Sequence, residues 1–180
     1  MGKHTKTAFP SSDNRSVGVL DLIHSYLCGS MPSVSLRGYG YYVTFIDDHS
    51  RKTRIYFPKS KKSEEVLQRF QEFKALVENQ TGRKIWALRS DNGGEYTSEE
   101  FDEYCRQEGI RRKLTVPYTP EQNGVAERKN RSIVGATTIM LHDQSIPYFL
   151  WVEACSTIVY LQNMSLHCAL GRKTPKEMFT

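Results

Sequence analysis

The segment WALRSDNGGEY, residues 86–96, combines a strand-like apolar run with a carboxylate and a turn. The run ends at Ser90, Asp91 follows, and an Asn-Gly-Gly sequence then favours a turn. An acid in this position is either an ordinary turn residue or a carboxylate presented at the end of a strand. Ligand and metal sites in open α/β sheets lie at strand ends. The question is therefore which other acids could join Asp91.

Alternating and continuous apolar runs on either side of this segment predict four more strands. One is centred on Val19–Leu27. Two lie within residues 38–60 and are joined by the polar turn Asp47–Ser50. The segment itself supplies the fourth strand, and RRKLTVP, residues 111–117, supplies the fifth.

Helical patterns separate the later strands. The clearest helix covers residues 63–82, and its apolar stripe is Val66, Phe70, Phe73 and Val77. Three more helices are predicted within 98–109, 122–141 and 147–163. The order of three strands, helix, strand, helix, strand and two helices predicts an α/β fold, with one mixed five-stranded sheet flanked by helices. We divide the chain into an extended basic arm (1–17), a core (18–165) and a C-terminal tail (166–180).

Composition sets limits on the class of protein. The 180 residues are enough for one domain, and no apolar run is long enough to predict a membrane span or a signal peptide, so we expect an intracellular protein. The four cysteines have no paired metal-ligand spacing, which argues against a structural zinc site. The net charge of +5 permits a polyanionic partner without requiring one.

Glu127 is the acid that could join Asp91. It lies early in a predicted helix, after a loop that contains glycine, and Arg128, Lys129 and Arg131 follow it. Carboxylates are the ligands that Mg²⁺ prefers, and cations beside them could meet phosphates. The spacing alone is weak evidence, because two of 20 acids can fall this far apart by chance. A turn aspartate and a solvated helix glutamate would explain it equally well.

The local sequences around these acids are more specific. RSDNGGEY (89–96) followed by VPYTPEQNGVAERKNRS (116–132) closely resembles the catalytic core of copia-type retrotransposon integrases. The resemblance extends over nearly the whole chain, from GKHTKTAFP near the start to TPKEMF near the end. It implies a ribonuclease H-like fold and an enzyme that trims the 3′ ends of element DNA and joins them to target DNA.

The resemblance also implies cofactors, partners and site residues. Family members use two Mg²⁺ or Mn²⁺ ions, and their second and third metal-binding acids map onto Asp91 and Glu127. Double-stranded DNA and further copies of the chain are the implied partners, and the nucleus and cytoplasmic virus-like particles are the implied locations. The loop before Glu127 and the helix after it would contact DNA through Tyr118, Gln122, Asn123, Arg128, Lys129 and Arg131.

One residue departs from the family pattern. The family's first metal-binding acid lies in a His-Ser-Asp motif on the first strand, where this chain has His24-Ser25-Tyr26. A neutral phenol does not replace a carboxylate under Mg²⁺, so we expect Tyr26 to impair catalysis in this copy. The alternatives are a non-catalytic DNA-binding or self-associating module, and an active enzyme that uses a substitute acid.

The substitute acids are poor candidates. Asp21 lies five positions before Tyr26, and an odd offset on a strand points to the opposite face of the sheet. Asp47 and Asp48 are expected to build the turn between two strands. We also expect His24 to be a packed strand residue, and the two tryptophans, Trp86 and Trp151, to lie in the core.

Overall fold

The computed structural model describes residues 15–115 and 124–180, which form one five-stranded mixed sheet with helices on both faces. The strands are β1 (Ile23–Gly29), β2 (Tyr41–Asp47), β3 (Thr53–Tyr56), β4 (Ala87–Ser90) and β5 (Arg111–Leu114), in the spatial order β3-β2-β1-β4-β5. The first three strands pair antiparallel, whereas β1 with β4 and β4 with β5 pair parallel. The predicted α/β sheet is confirmed, and β1 lies at its centre.

Five helices accompany the sheet: α1 (Ser63–Thr81), α2 (Glu99–Gln107), α3 (Gly124–Asp143), α4 (Trp151–Met164) and α5 (Pro175–Phe179). The predicted stripe of α1 is buried, and α1 ends where Gly82 adopts a left-handed conformation and donates its N–H to the carbonyl of Glu78. Ser98 caps α2 by accepting the N–H of Phe101. No helix in these ranges combines the length and the apolar character that a membrane span requires.

The two faces of the sheet bury different clusters. On one face Ile23 and Phe45 pack with the aromatic residues of α1 and α2. On the other, Tyr42 packs with Trp151 and with apolar residues of α3 and α4. Because successive strand residues alternate between faces, the even-numbered residues of β1 face α3 and the odd-numbered ones face α1. Tyr26 therefore belongs to the α3 face.

The first strand begins later than the sequence predicts. Residues before Ile23 form a tight turn, in which Leu20 has a positive φ of 67° and Gly18 donates its N–H to the carboxylate of Asp21. The N–H of Leu20 is bonded to Asp47 at 2.8 Å instead of to a neighbouring strand. Because the side chain of Asp47 holds Leu20 in this turn, the strand begins only at Ile23. The apolar residues of the sequence alone could not reveal this.

The prediction for the tryptophans is half right. Trp151 is fully buried, as expected, and its indole N–H donates to the carbonyl of Ser33. The prediction that Trp86 lies in the core is wrong, because 56% of its surface is exposed. Trp86 precedes β4, where its ring lies beside cations of the edge strand β5 instead of under a helix.

The opposite edge of the sheet is closed by a side chain. Asn163, near the end of α4, accepts the N–H of Thr53 at 3.0 Å and donates to the carbonyl of Thr53 at 2.9 Å. Its amide therefore takes the place of a strand partner on the open side of β3. The C-terminal segment also packs on the core, because Phe179 of α5 is buried in the cluster under α1.

Candidate active site

Tyr26 lies half-buried in the middle of β1, on the face that α3 covers. Burial is the main cause that raises the pKa of its phenol, followed by the neighbouring Cys28 and by the negative charges of Asp91, Glu127 and Glu95. The phenol is therefore neutral at pH 7. Carboxylates from the β4 end, the following turn and α3 therefore all lie within electrostatic range of this side chain.

Asp91 stands directly after the last residue of β4, at the strand end that the sequence predicts. Its carboxylate accepts the N–H of Gly93 at 3.1 Å, which closes the turn. The turn is fixed to β1 by Tyr96, whose fully buried hydroxyl shares a hydrogen bond of 2.7 Å with Ser25. Since Ser25 precedes Tyr26, this bond holds the Asp91 turn next to the central strand.

Glu127 lies in the first turn of α3, where the helix dipole favours a negative charge. One turn further along, Asn130 accepts a short hydrogen bond from the hydroxyl of Tyr42 on β2. That bond attaches the start of α3 to the sheet one strand away from Tyr26. Sequence reasoning found Glu127 but missed Asn130, because nothing in the sequence pairs it with a strand tyrosine.

Glu95 is a third carboxylate at the site that the sequence did not single out. Its side chain folds back over the glycine turn, so that a side-chain carbon at Gly93 would lie only 2.6 Å from Oε1 of Glu95. The glycine therefore leaves room for the carboxylate. The only sequence signal was a charged residue directly after a double glycine, and such residues are ordinary in solvated turns.

The donors at this site do not fit a two-ion centre. Asp91 and Glu127 come from different elements, and the third position is filled by the neutral phenol of Tyr26. Within residues 15–115 and 124–180 there is no group of three or more His, Cys, Asp or Glu side chains that could hold a metal ion. Two divalent ions need several converging carboxylates, and the described residues do not bring such a set together beside Tyr26.

The proposed substitute acids are occupied elsewhere. Asp47 accepts the N–H of Leu20 and both the N–H and the hydroxyl of Ser50, so it builds the turn after β2. The carboxylate of Asp21 accepts the N–H of Gly18. Because Asp47 pairs with Ile23, it lies three positions along β1 from Tyr26, roughly 10 Å away.

His24 is a packed strand residue, as the sequence predicts. Only 1% of its surface is exposed, and Nε2 lies 2.9 Å from the carboxylate of Asp48. Burial lowers the pKa of His24, which keeps the ring neutral, so Nε2–H donates to the aspartate. Asp48 also accepts from Arg51 at 2.8 Å and from the N–H of Ser16 at 2.6 Å. This network anchors the chain before β1 and does not reach the phenol of Tyr26.

The cations that follow Glu127 fall into two groups. Arg128 and Arg131 are exposed. Lys129 is not, because its ammonium donates to Gln162 of α4 at 3.0 Å, and burial lowers its pKa to about 8. Two residues turn a helix by about 200°, which places Lys129 on the opposite side of α3 from Glu127. The predicted DNA contacts Tyr118, Gln122 and Asn123 lie outside the described residues.

A five-stranded sheet in which only β2 runs against the other strands, with acids at the β4 end and at the start of a helix, defines a ribonuclease H-like domain. The integrase core domain family matches residues 27–120, more than half of the chain. The chain is 49% identical, over all 180 residues, to the retrovirus-related Pol polyprotein from transposon TNT 1-94 of Nicotiana tabacum. It is 40% identical, over 163 residues or 91% of its length, to that from transposon RE2 of Arabidopsis thaliana.

Solved structures show the same fold. The simian T-cell lymphotropic virus intasome in complex with PP2A regulatory subunit B56 gamma matches with a TM-score of 0.73 at 21% identity, over 92% of this chain and 56% of the other. The dimeric form of the HTLV-2 integrase catalytic core domain in complex with magnesium matches with a TM-score of 0.69 at 18% identity, over 92% of this chain and 100% of the other.

This chain belongs to the integrase core domain family. The predicted resemblance to copia-type retrotransposon integrases is confirmed by its identity to the plant transposon polyproteins. The chain covers 13% and 11% of the length of those two relatives. The match to this short part of the polyproteins does not by itself assign their activities to this chain.

Proposed function

We propose that this chain is an integrase core for 3′-end processing and strand transfer of retroelement DNA, and that Tyr26 impairs catalysis in this copy. The observation that carries the proposal is the half-buried phenol in the middle of β1, on which the charges of Asp91 and Glu127 act. Family resemblance assigns a carboxylate to that position. The proposal includes intracellular action, in the nucleus and in cytoplasmic virus-like particles, by analogy with the family.

The chemical reason for the impairment is charge. Two divalent ions stabilise the attacking and leaving oxygens of a phosphodiester, and family members hold them with three carboxylates. Asp91 and Glu127 would be two of the ligands here. A neutral phenol at position 26 contributes no charge and occupies more space than an aspartate, so binding of the second ion is disfavoured.

The first experiment replaces Tyr26 with aspartate. Tyr26→Asp adds a carboxylate beside three others, so without metal we expect a lower melting temperature at pH 7 than in the unmodified chain. Mn²⁺ should reverse that loss, because an ion that binds only the native state raises the melting temperature. Thermal unfolding with and without Mn²⁺ measures both effects, independently of strand transfer.

Two controls make this experiment decisive. Tyr26→Phe removes the hydroxyl without adding charge and should gain nothing from Mn²⁺, and Tyr26→Asp combined with Glu127→Gln should lose the gain. A different outcome would contradict the proposed impairment. If the unmodified chain joins labelled DNA ends in Mg²⁺, and Asp91→Asn abolishes the joining, another group has replaced the missing acid.

We also propose that the core binds double-stranded DNA through phosphate contacts, with little dependence on sequence. The net charge of +5 and the exposed guanidinium groups of Arg128 and Arg131 support this proposal. Phosphate contacts release counterions, so affinity should fall steeply between about 50 and 200 mM salt. Fluorescence anisotropy with a labelled duplex across that range measures the effect.

The helix offers a matched control. Arg128→Ala with Arg131→Ala should weaken duplex binding and lower the slope of log affinity against log salt by about 1.8. Lys129→Met also removes a cation from α3, but that ammonium is bonded to α4, so the variant should bind DNA like the unmodified chain. Equal weakening per removed charge in the two variants would show that only net charge matters.

The second candidate is a module that binds DNA or associates with itself but does not cut or join. The incomplete ligand set at Tyr26 favours it, and so do the exposed apolar residues Phe149 and Tyr160 near and in α4. Strand transfer by Tyr26→Asp, in a protein that also carries the flanking regions of the polyprotein, separates the two. Restored joining supports an impaired enzyme, whereas restored metal binding without joining supports a module.

A further inference from the structure

Trp86 is an exposed aromatic residue with two cations beside its ring. The guanidinium carbon of Arg111 lies 5.8 Å from the ring centroid, and Nζ of Lys113 lies 5.7 Å from it. The ring keeps 56% of its surface open to solvent. Neither cation has an acidic partner in the described part of the chain. Within the described residues the cluster therefore presents an apolar ring together with two positive charges that form no ion pair.

The cations lie on the same face of the sheet as the candidate active site. Arg112 packs over the ring of Phe101 in α2, with its guanidinium carbon 4.6 Å from the centroid, so it marks the α2 face of β5. Because strand residues alternate, Arg111 and Lys113 leave β5 on the other face. That is the face to which Tyr26 belongs.

The strand register connects the cluster to the site. Lys113 pairs with Arg89 on β4, and Arg89 pairs with His24 on β1. Asp91 follows two residues after Arg89, roughly 7 Å along the strand, and Trp86 lies five residues before Asp91, roughly 16 Å away. On this face α3 packs mainly on β1 and β2, and α4 on β3, so among the described elements neither helix packs mainly on β5.

We infer that Trp86, Arg111 and Lys113 form a contact surface for single-stranded DNA that extends from the candidate active site along β4 and β5. Cations at this spacing suit successive phosphates, and an exposed indole offers a stacking platform to an unpaired base. An acidic peptide would contact only the two cations, whereas a single strand would also stack a base on the indole. The inference rests on the proposed DNA function and names a second surface for it.

The test uses a labelled oligothymidylate of about 16 nucleotides and the 180-residue chain. Trp86→Ala should weaken binding at least about fivefold, and Trp86→Phe should retain most of the affinity. Arg111→Ala with Lys113→Ala should lower the slope of log affinity against log salt by about 1.4. The matched control, Lys61→Ala with Lys62→Ala, removes two exposed cations just before α1 and should leave the stacking contribution intact.

Intrinsic fluorescence gives a second readout, because the chain has only two tryptophans and Trp151 is fully buried. The single strand should quench the emission of the unmodified chain and leave that of Trp86→Phe unchanged. The inference is overturned if the Trp86 and β5 variants bind like the Lys61 and Lys62 control. It is also overturned if these variants change only self-association, which would make the surface an interface between copies.

The outcomes separate this inference from the proposed function. Duplex binding that depends on Arg128 and Arg131, with single-strand binding that ignores Trp86, would overturn the inference alone. Absence of all DNA binding at low salt would overturn the inference together with the proposed DNA contacts. Urea unfolding of each variant verifies that the surface changes leave the fold intact.

Discussion

At the scale of single residues, the buried acid next to the site has a structural role. Burial alone would raise the pKa of Asp48, but the hydrogen bond from His24, the N–H of Ser16 and the charge of Arg51 together lower it well below its ordinary value. The sequence predicted that this acid builds a turn. It could not show that the acid also fixes a strand histidine, because that contact joins positions 24 residues apart.

Asp48→Asn should lower the free energy of unfolding by about 2–4 kcal/mol at pH 7, because Arg51 and His24 lose a charged partner. A carboxyl pKa that is lowered on folding stabilises the protein above the unfolded pKa of about 3.9, and this stabilisation is lost as pH falls below it. The difference between the two proteins should therefore shrink at pH 3. Urea unfolding at both pH values measures it.

The exposed Asp143 supplies the control for this prediction. Asp143→Asn should change the free energy of unfolding by less than about 0.5 kcal/mol at either pH. An equal loss in Asp48→Asn at pH 7 and pH 3 would instead assign the effect to the hydrogen-bond acceptor that the amide lacks, and not to the charge.

At the scale of elements, sequence patterns predicted the helices better than the contacts between them. The stripe of α1 is a local feature of the sequence and is confirmed, and the caps at Gly82 and Ser98 lie at the ends that the sequence predicts for these helices. The site depends on contacts between distant elements, such as Tyr96 with Ser25 and Tyr42 with Asn130. Those pairings follow from the packed sheet, so the sequence could name Asp91 and Glu127 without naming what holds them in place.

Tyr96→Phe tests whether the Asp91 turn depends on its bond to β1. The change leaves the buried hydroxyl of Ser25 without a partner, so the free energy of unfolding should fall by about 1–3 kcal/mol. In the Tyr26→Asp background it should also reduce the rise in melting temperature with Mn²⁺, because Asp91 is held less firmly.

Tyr104→Phe is the matched change on α2, where the hydroxyl has no hydrogen-bond partner among the described residues. It should alter neither the stability in urea nor the response to Mn²⁺ by a measurable amount. A Tyr96→Phe variant with a full Mn²⁺ response would show that the turn keeps its shape without the bond.

At the scale of the whole molecule, the helices leave apolar surface uncovered. The apolar residues Phe149, Trp151, Ile158 and Tyr160 predict that one face of the C-terminal helix packs on the sheet and that its remaining apolar surface pairs with a second copy. Trp151 and Ile158 are buried against the sheet, whereas Tyr160 and the neighbouring Leu161 are 60% and 49% exposed. The outer side of α4 therefore offers apolar surface for self-association, a distinction that needs the packed structure.

We predict that the chain forms a two-fold dimer through this outer side. Tyr160→Lys with Leu161→Lys should lower the association constant at least tenfold, because two apolar contacts are replaced by repelling charges. Sedimentation velocity at high micromolar concentration measures the change. Leu36→Lys, at an exposed leucine in the loop before β2, is the control and should sediment like the unmodified chain. A monomer throughout this range would rule out the dimer.

The amide of Asn163 on Thr53 has a consequence beyond the fold itself. With that position of β3 already paired, and with Arg111, Arg112 and Lys113 lining β5, both borders of the sheet resist the addition of a foreign strand. Growth of the sheet from molecule to molecule, the first step towards amyloid-like fibrils, is thereby disfavoured. At high concentration this chain should associate through its helices and form no thioflavin-positive aggregates. Asn163→Ala, which frees the edge of β3, should allow such aggregates to form.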